Sequence, residues 1–272
     1  MSPEAAIAEL VADRLADRAP GDPPLVLGLC GAQGSGKSTV AARLAQRFDR
    51  SAILSLDDLY LTRAERQRLA REVHPLLATR GVPGTHDVAL GVATLAAIMR
   101  GEPAPLPRFD KATDDRVSRS RWPAAPERTA LIVFEGWCVG ARPQAEESLI
   151  APVNRLEAEE DSSGTWRRYA NVALATDYPA LFETIGLLAL MIPPDWSTVR
   201  RWRIQQEEAL RSARGGDGPG VMDDVAVARF VRHYERLTRH IWWEMPRRAD
   251  LCLRLTEERE VATTNAAAPS GE

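Results

Sequence analysis

Few segments leave a chain as little freedom as Gly31-Ala-Gln-Gly-Ser-Gly-Lys-Ser38. It has the form G-x-x-x-x-G-K-S, the phosphate-binding loop, and its flanks match what such a loop needs. Before it runs the short apolar strand Leu25-Val-Leu-Gly-Leu29, and after it Thr39-Val-Ala-Ala-Arg-Leu-Ala-Gln-Arg-Phe48 reads as a helix. Gly31, Gly34 and Gly36 allow the sharp backbone turn that aims successive N–H groups at an anion. The helix opening at Lys37 adds the positive end of its dipole. In this arrangement Lys37 reaches the β- and γ-phosphates of a nucleotide and the Ser38 hydroxyl ligates Mg²⁺. The chain has 35 basic residues, yet Lys37 and Lys111 are its two lysines. A sequence that otherwise chooses arginine keeps a compact, flexible ammonium at the loop position, where a planar fork would fit poorly.

At 272 residues the chain is long enough to bury a substantial core in one or two domains. A formal charge of −3 gives no basic field, which argues against a nucleic-acid partner. Cys30, Cys138 and Cys252 lie far apart, with neither zinc spacing nor a disulfide framework, as suits a reducing cytoplasm. The start Met-Ser-Pro-Glu carries no basic or apolar signal region, and the apolar run Leu187–Ile192 is far too short to span a bilayer. A cytoplasmic protein without membrane partners is expected.

Along the chain, residues 4–18 place Ile7, Leu10, Val11 and Leu15 on one face of an amphipathic helix. A second strand, Ala52-Ile-Leu-Ser55, delivers Asp57 and Asp58 to the carboxyl end of the sheet, where ligands of α/β proteins bind. There Asp57 can accept a proton from a substrate hydroxyl or hold a metal-bound water. Thr62-Arg-Ala-Glu65 is a capping box. The loop from His74 to Asp87 groups Arg80, His86 and Asp87 as candidate substrate contacts, and Asp87 caps the helix that follows to about Arg100. From Gly101 to Arg128 nothing is periodic and there are five prolines, a length of connection that is usually functional or disordered. Ala130-Leu-Ile-Val-Phe134 is a third buried strand ending in Glu135, the Walker B arrangement in which a carboxylate holds Mg²⁺ through water. Residues 141–185 read as mostly helical, and Leu187–Ile192 as a fourth strand. The helix Val199–Arg211 carries four arginines and leads into Gly215-Gly-Asp-Gly-Pro-Gly220, the makings of a lid over polyphosphate. A further helix, Asp224 to about Trp243, precedes a last strand, Leu251–Leu255, and residues 262–272 read as a disordered tail.

Together, Ser55-Leu-Asp-Asp-Leu-Tyr60, Arg80-Gly-x-x-Gly-Thr-His-Asp87, Pro107-Arg-Phe-Asp-Lys111, Phe134-Glu-Gly-Trp137 and Trp202-Arg-x-Gln-x-Glu207, following the glycine loop, resemble the ATP-dependent D-glycerate 3-kinases of plant and fungal type and their bacterial relatives. That group is similar in turn to uridine kinases, phosphoribulokinase and bacterial pantothenate kinase. The resemblance covers roughly residues 25 to 255 and implies a three-layer α/β P-loop kinase fold: a five-stranded, mainly parallel sheet with helices on both faces and a helical lid. The expected organisation is residues 1–24 as N-terminal helix and linker, 25–258 as the kinase domain with its lid at about 196–220, and 259–272 as a disordered tail.

By the same likeness Asp57 lines up with the general base and Glu135 with the acid near magnesium, while Asp87 falls where a sugar hydroxyl is bound. Phe109 stands where a tyrosine is usual, and Asp114 where a histidine would contact a nucleobase, which weakens a nucleoside reading. The expected site is therefore Lys37, Asp57 and Arg203 for catalysis. Gly31, Gln33, Gly34, Ser35, Gly36, Lys37, Ser38 and Thr39 are expected to hold ATP, and Ser38, Asp57 and Glu135 to hold Mg²⁺. Asp58, Tyr60, Arg80, His86, Asp87, Arg108, Asp110 and Arg116 are the candidates for the acceptor. An acid acceptor wants a bidentate arginine, from Arg80 or Arg108. D-Glycerate is the leading acceptor, with the enzyme a monomer or simple homodimer. A nucleoside or pantothenate kinase, and an ATPase switch without a small acceptor, are the competing readings.

Overall fold

The structure, a computed structural model, describes residues 1–19, 21–214 and 222–266. In chain order its strands are β1 (Leu25–Gly31), β2 (Ser51–Ser55), β3 (Phe109–Asp110), β4 (Asp115–Arg116), β5 (Leu131–Gly136), β6 (Leu187–Ile192), β7 (Leu251–Leu255) and β8 (Val261–Ala266). The helices are α1 (Pro3–Ala16), α2 (Lys37–Arg47), α3 (Arg63–Glu72), α4 (Val88–Met99), α5 (Arg155–Glu160), α6 (Thr165–Thr176), α7 (Pro179–Phe182), α8 (Trp196–Arg214) and α9 (Asp224–Glu244). No helix among the described residues is long and apolar enough to cross a membrane.

One sheet, in the order β2-β5-β1-β6-β7-β8, organises the molecule. Its first five strands are parallel, as their apolar runs imply, because a strand covered on both faces needs no polar side. Alternate residues feed two cores. Leu27, Leu29, Val133, Ala189 and Met191 pack with Ile7 and Val11 of α1 and with Val40 and Leu44 of α2. Their neighbours Val26, Cys30, Phe134 and Leu190 face Leu95 of α4, Leu174 of α6, Leu181 of α7 and Ile241 of α9. The period of two along each strand thus sorts the side chains into the two outer layers.

One expectation needs correcting. The sheet has six strands, because Val261–Ala266 pairs antiparallel with β7 where a structureless tail was expected from residue 259. The segment Val261-Ala-Thr-Thr-Asn-Ala266 is polar because residues 262–265 are exposed, while the backbone completes the ladder of β7. Its polarity is that of a solvated edge strand. The aperiodic stretch 101–128 also contains order, the short β3–β4 hairpin. The expected glycine hinge of the lid, residues 215–220, and the tail from 267 lie outside the described residues.

Strand β1 lies between β5 and β6, so the chain leaves it first toward β2 on one side and later reaches β6 on the other. At such a switch point the connections part, and a crevice opens at the carboxyl ends of the strands. The phosphate loop, the turn after β2 and the end of β5 all meet there.

Candidate phosphate and acceptor site

The glycine loop owes its shape to Gly34 and Gly36, whose φ angles of 76° and 89° are left-handed. Helix α2 begins at Lys37 without a side-chain cap and without an acid in its first turn. Its first N–H groups and its positive end are therefore left for an external anion. Lys37 Nζ lies back over the loop, donating to the Ala32 carbonyl at 3.1 Å. The Ser35 hydroxyl and Gln33 Oε1 are buried without a hydrogen-bond partner among the described residues. A second constraint acts at Gly34: a Cβ there would lie 2.5 Å from the Trp202 Cβ of α8. Arg259, on the turn between β7 and β8, donates to the Gly34 carbonyl at 2.6 Å and stacks over the Trp202 ring at 4.8 Å. The loop is thus wedged between α8 and that turn. An alanine at Gly34 would meet the left-handed penalty of about 1–2 kcal/mol as well as Trp202. Gly34→Ala is expected to raise the KM for ATP about tenfold or more in steady-state kinetics, since 1.4 kcal/mol is a factor of ten. An unchanged KM would show that the loop tolerates the displacement.

Glu135 stands opposite Ser55 in the β2–β5 ladder, and its Oε1 accepts hydrogen bonds from Ser55 Oγ (2.8 Å) and Ser38 Oγ (3.0 Å). This cluster ties the loop helix, β2 and β5 together with hard oxygen donors. No group of three or more His, Cys, Asp or Glu side chains able to hold a metal occurs among the described residues. One carboxylate and a hydroxyl, completed by phosphate oxygens and water, is a set that fits Mg²⁺, which keeps several waters and needs no all-protein cage. Asp57 sits in the 3-10 turn Leu56–Leu59 after β2. Its Oδ2 accepts from Lys111 Nζ at 2.6 Å and its Oδ1 from the Tyr60 hydroxyl at 2.9 Å. Burial disfavours the charged form of Asp57, but the ammonium groups of Lys111 and Lys37 and the Tyr60 hydroxyl hold its carboxyl well below the usual range.

A cavity of about 450 Å³ joins these groups. Lys37, Ser38, Asp57, Glu135 and Arg203 all line it, with Gln33 and Gly34 of the loop and with Tyr60 and Arg80 among the acceptor candidates. Arg80 is held by an ion pair with Asp114 and lies 5.7 Å over the Phe109 ring. Arg203 pairs with Glu207 one turn along α8 and lies 5.4 Å over the Phe230 ring. Ser35, Gly36 and Thr39 border a second cavity of about 400 Å³ on the other side of the loop, shared with Arg43 and Arg259. Gly31 ends β1 beneath the loop, its backbone packed against Met191.

The remaining acceptor candidates form a layer behind the cavity wall. Asp58 accepts from the Phe109 N–H at 2.9 Å and from Arg108 at 3.3 Å, so those two side chains hold the β3–β4 hairpin in place. Asp87 caps α4 through the Leu90 N–H at 3.0 Å and pairs with Arg116, which also donates to the Tyr60 carbonyl, each at 3.0 Å. Asp110 accepts from Ala112 N–H and the Thr113 hydroxyl within the hairpin turn. His86 is buried, stacks on Tyr60 with ring centroids 4.6 Å apart and shares a hydrogen bond with the Tyr178 hydroxyl. Burial pushes its pKa down to about 3, so the imidazole is neutral. Backbone bonds from Leu61 N–H to Thr85 O and from Asp87 N–H to Leu59 O lay the 80–87 loop against the turn that carries Asp57. These residues therefore position Tyr60, Arg80 and Asp57 from behind.

Lys111, Trp137, Phe230 and Tyr234 also line the cavity, and the sequence reading singled out none of them for the site. For Lys111 a signal existed, since it is the second of the chain's two lysines, and both face this space. For Tyr234 there was none: it comes from α9 and donates to the Arg80 carbonyl at 3.1 Å across 154 residues of chain.

A sheet of this order with a phosphate loop leaving its central strand, a hydroxyl–carboxylate oxygen cluster beside it and an ionised aspartate across the cavity defines a P-loop phosphotransferase. No protein-family model matches the chain. It is 38% identical over 224 residues to the uncharacterized kinase mug58 of Schizosaccharomyces pombe, covering 78% of each chain. It is 35% identical over 227 residues to the chloroplastic D-glycerate 3-kinase of Arabidopsis thaliana, covering 78% of this chain and 46% of that one. Among solved structures, a D-glycerate 3-kinase from Cryptococcus neoformans superposes with a TM-score of 0.79 at 26% identity, covering 97% of this chain and 99% of the other. The chain belongs to the D-glycerate 3-kinase-like family of P-loop kinases.

Proposed function

We propose that this enzyme transfers the γ-phosphoryl group of ATP to the primary hydroxyl of D-glycerate, giving 3-phosphoglycerate and ADP. The observation that carries the reading is one small cavity in which the loop lysine, the Ser38–Ser55–Glu135 cluster and Asp57 meet, with Arg80, Lys111 and Arg203 in its wall. Lys37, Arg80, Lys111 and Arg203 outnumber the lining carboxylates Asp57, Glu135 and Glu207, a balance that favours an acceptor carrying its own negative charge. The aromatic residues of the cavity are already engaged with protein partners, Phe230 lying under the Arg203 guanidinium. Trp137 packs edge-on against Tyr234 and donates to the Gly81 carbonyl, and Tyr60 is stacked on His86. The relatives named D-glycerate 3-kinase supply the acceptor's identity.

In this mechanism the Asp57 carboxylate takes the hydroxyl proton as the alcohol oxygen forms its bond to the γ-phosphorus. The bond from that phosphorus to the β–γ bridging oxygen breaks, and its electron pair leaves with ADP. Lys37 and the loop N–H groups hold the β- and γ-phosphates, and Arg203, exchanging Glu207 for the γ-phosphoryl, meets the charge that spreads over it. Ser38 and Glu135 would hold magnesium, which would supply charge neutralisation on the phosphates. The three cysteines are buried and unpaired, and the reading places the enzyme in the cytoplasm, acting on a small acid as a monomer or simple homodimer.

A coupled ADP-release assay over D-glycerate, L-glycerate, uridine and pantothenate tests this. D-Glycerate is expected to give the highest kcat/KM, with phosphorus at C3 by NMR of the product. Stimulation by uridine or pantothenate instead would reassign the acceptor, and hydrolysis indifferent to every alcohol would favour an ATPase switch.

A further inference from the structure

Lys111 stands in the turn of the β3–β4 hairpin, and that turn is anchored from several sides. Asp58 accepts the Phe109 N–H at 2.9 Å, and Arg66, itself fully buried, donates to the Asp114 carbonyl at 2.7 Å. The backbone beneath Lys111 is therefore fixed, while 59% of its side chain is exposed. Its ammonium reaches Asp57, its ionic partner among the described residues, at 2.6 Å. The arginines around the acceptor each have a carboxylate partner. Arg80 is paired with Asp114, Arg203 with Glu207, and Arg108 is turned to Asp58 behind the wall. Tyr60 occupies the second oxygen of Asp57. The candidate base thus has no oxygen free of a protein donor, and one of its two donors is an ammonium on a flexible stem.

We propose that Lys111 selects acids by exchanging partners: the acceptor inserts across the Lys111–Asp57 pair, its carboxylate taking the ammonium and its hydroxyl taking the oxygen so vacated. This rests on the reading of the enzyme as a kinase of a small hydroxy acid. An ammonium suits the exchange, being a compact charge with rotatable donors. A guanidinium fork would clamp the Asp57 carboxylate in two-point fashion and release it reluctantly. A neutral alcohol brings nothing to draw Lys111 away and meets a base whose two oxygens already accept from Lys111 and Tyr60. The same holds for water, so the pair also protects ATP from hydrolysis before the acid arrives. One residue thereby supplies both attraction for the acid and exclusion of the uncharged competitor, the two components of specificity.

The test compares D-glycerate with D-glyceramide, which keeps both hydroxyls and replaces the carboxylate by a neutral amide, in the wild-type enzyme, K111M and K111R. Wild type is expected to prefer the acid strongly. In K111M, kcat/KM for D-glycerate should fall roughly 100-fold, carried mainly by KM, because a site built for a charged group loses its partner. D-Glyceramide turnover and acceptor-independent ATP hydrolysis should rise in the same preparation, which also shows that the protein is folded. K111R keeps the charge and should retain the preference at a lower kcat. A K111M enzyme that still prefers the acid as wild type does, or that loses both acceptors equally, would overturn the inference. If wild type ignores D-glycerate altogether, the functional reading fails and this inference falls with it.

Discussion

A Lys37→Ala enzyme is expected to release ADP at least roughly 1,000-fold more slowly than wild type under saturating D-glycerate, while melting within a few degrees of it. The asymmetry follows from where Lys37 sits. Among the described residues its one hydrogen bond is to the Ala32 carbonyl, at the surface of the cavity, so truncation leaves no buried charge behind. The loop itself is held by other means: the left-handed glycines, the Trp202 wedge and Arg259 on the Gly34 carbonyl. On the proposed reading, what disappears is a positive charge beside the β- and γ-phosphates, where charge develops in the transition state. Single donors of this kind contribute about two to three orders of magnitude, and a full charge at the transferring group contributes more. Parallel turnover and thermal-melting measurements check both halves of the expectation. Retained turnover would remove Lys37 from the chemistry, and a collapsed melting temperature would make it structural.

Asp57→Asn is expected to lower kcat by about 100- to 10,000-fold, the range typical of a lost general base, with the KM for ATP nearly unchanged. The carboxamide keeps the shape of the side chain and still accepts from Tyr60, so the turn Leu56–Leu59 should survive. It cannot take a proton from the acceptor. The sign of the pKa shift gives a second check. A carboxyl held below its usual range is ionised above that range, so Asp57 is charged at pH 6 and at pH 8 alike. The ratio of wild-type to variant kcat/KM, which reports the free enzyme, should therefore be the same at both values. A ratio that collapses toward pH 6 would mean that a different group, titrating near neutrality, is the base.

Much of this site was legible because its chemistry is local in the chain. The glycine loop, the acid-bearing turn after β2 and the acid ending β5 each follow an apolar strand by a residue or two. Parallel pairing then brings such strand ends to one edge, as the opposition of Ser55 and Glu135 demonstrates. The capping box at Thr62 and the Asp87 cap of α4 were equally readable, because the partners lie within a single turn. The acceptor side was less legible. His86, Asp87, Arg108 and Arg116 come from loops rich in functional-looking residues, and nothing in a loop sequence says which side chain faces a cavity and which ties one loop to the next. Two carboxylates and two guanidiniums there satisfy each other, as Asp58 with Arg108 and Asp87 with Arg116 show. Such pairs position their neighbours and leave the cavity to Tyr60, Arg80 and Lys111.

The amino-acid order alone determined the fold class, the phosphate loop and the acids facing it, since each rests on contacts within a few residues and on the geometry of parallel strands. It also set the composition that makes Lys37 and Lys111 stand out. The tertiary structure decided what depends on distant segments meeting: the turn before β8 that braces the loop through Arg259, the hydrogen bond from Tyr234 to the Arg80 carbonyl, and the seating of Lys111 on Asp57. Those contacts span from 54 to 225 residues of chain. No local propensity encodes them, because they exist only after two cores and a six-stranded sheet have fixed where each loop must lie.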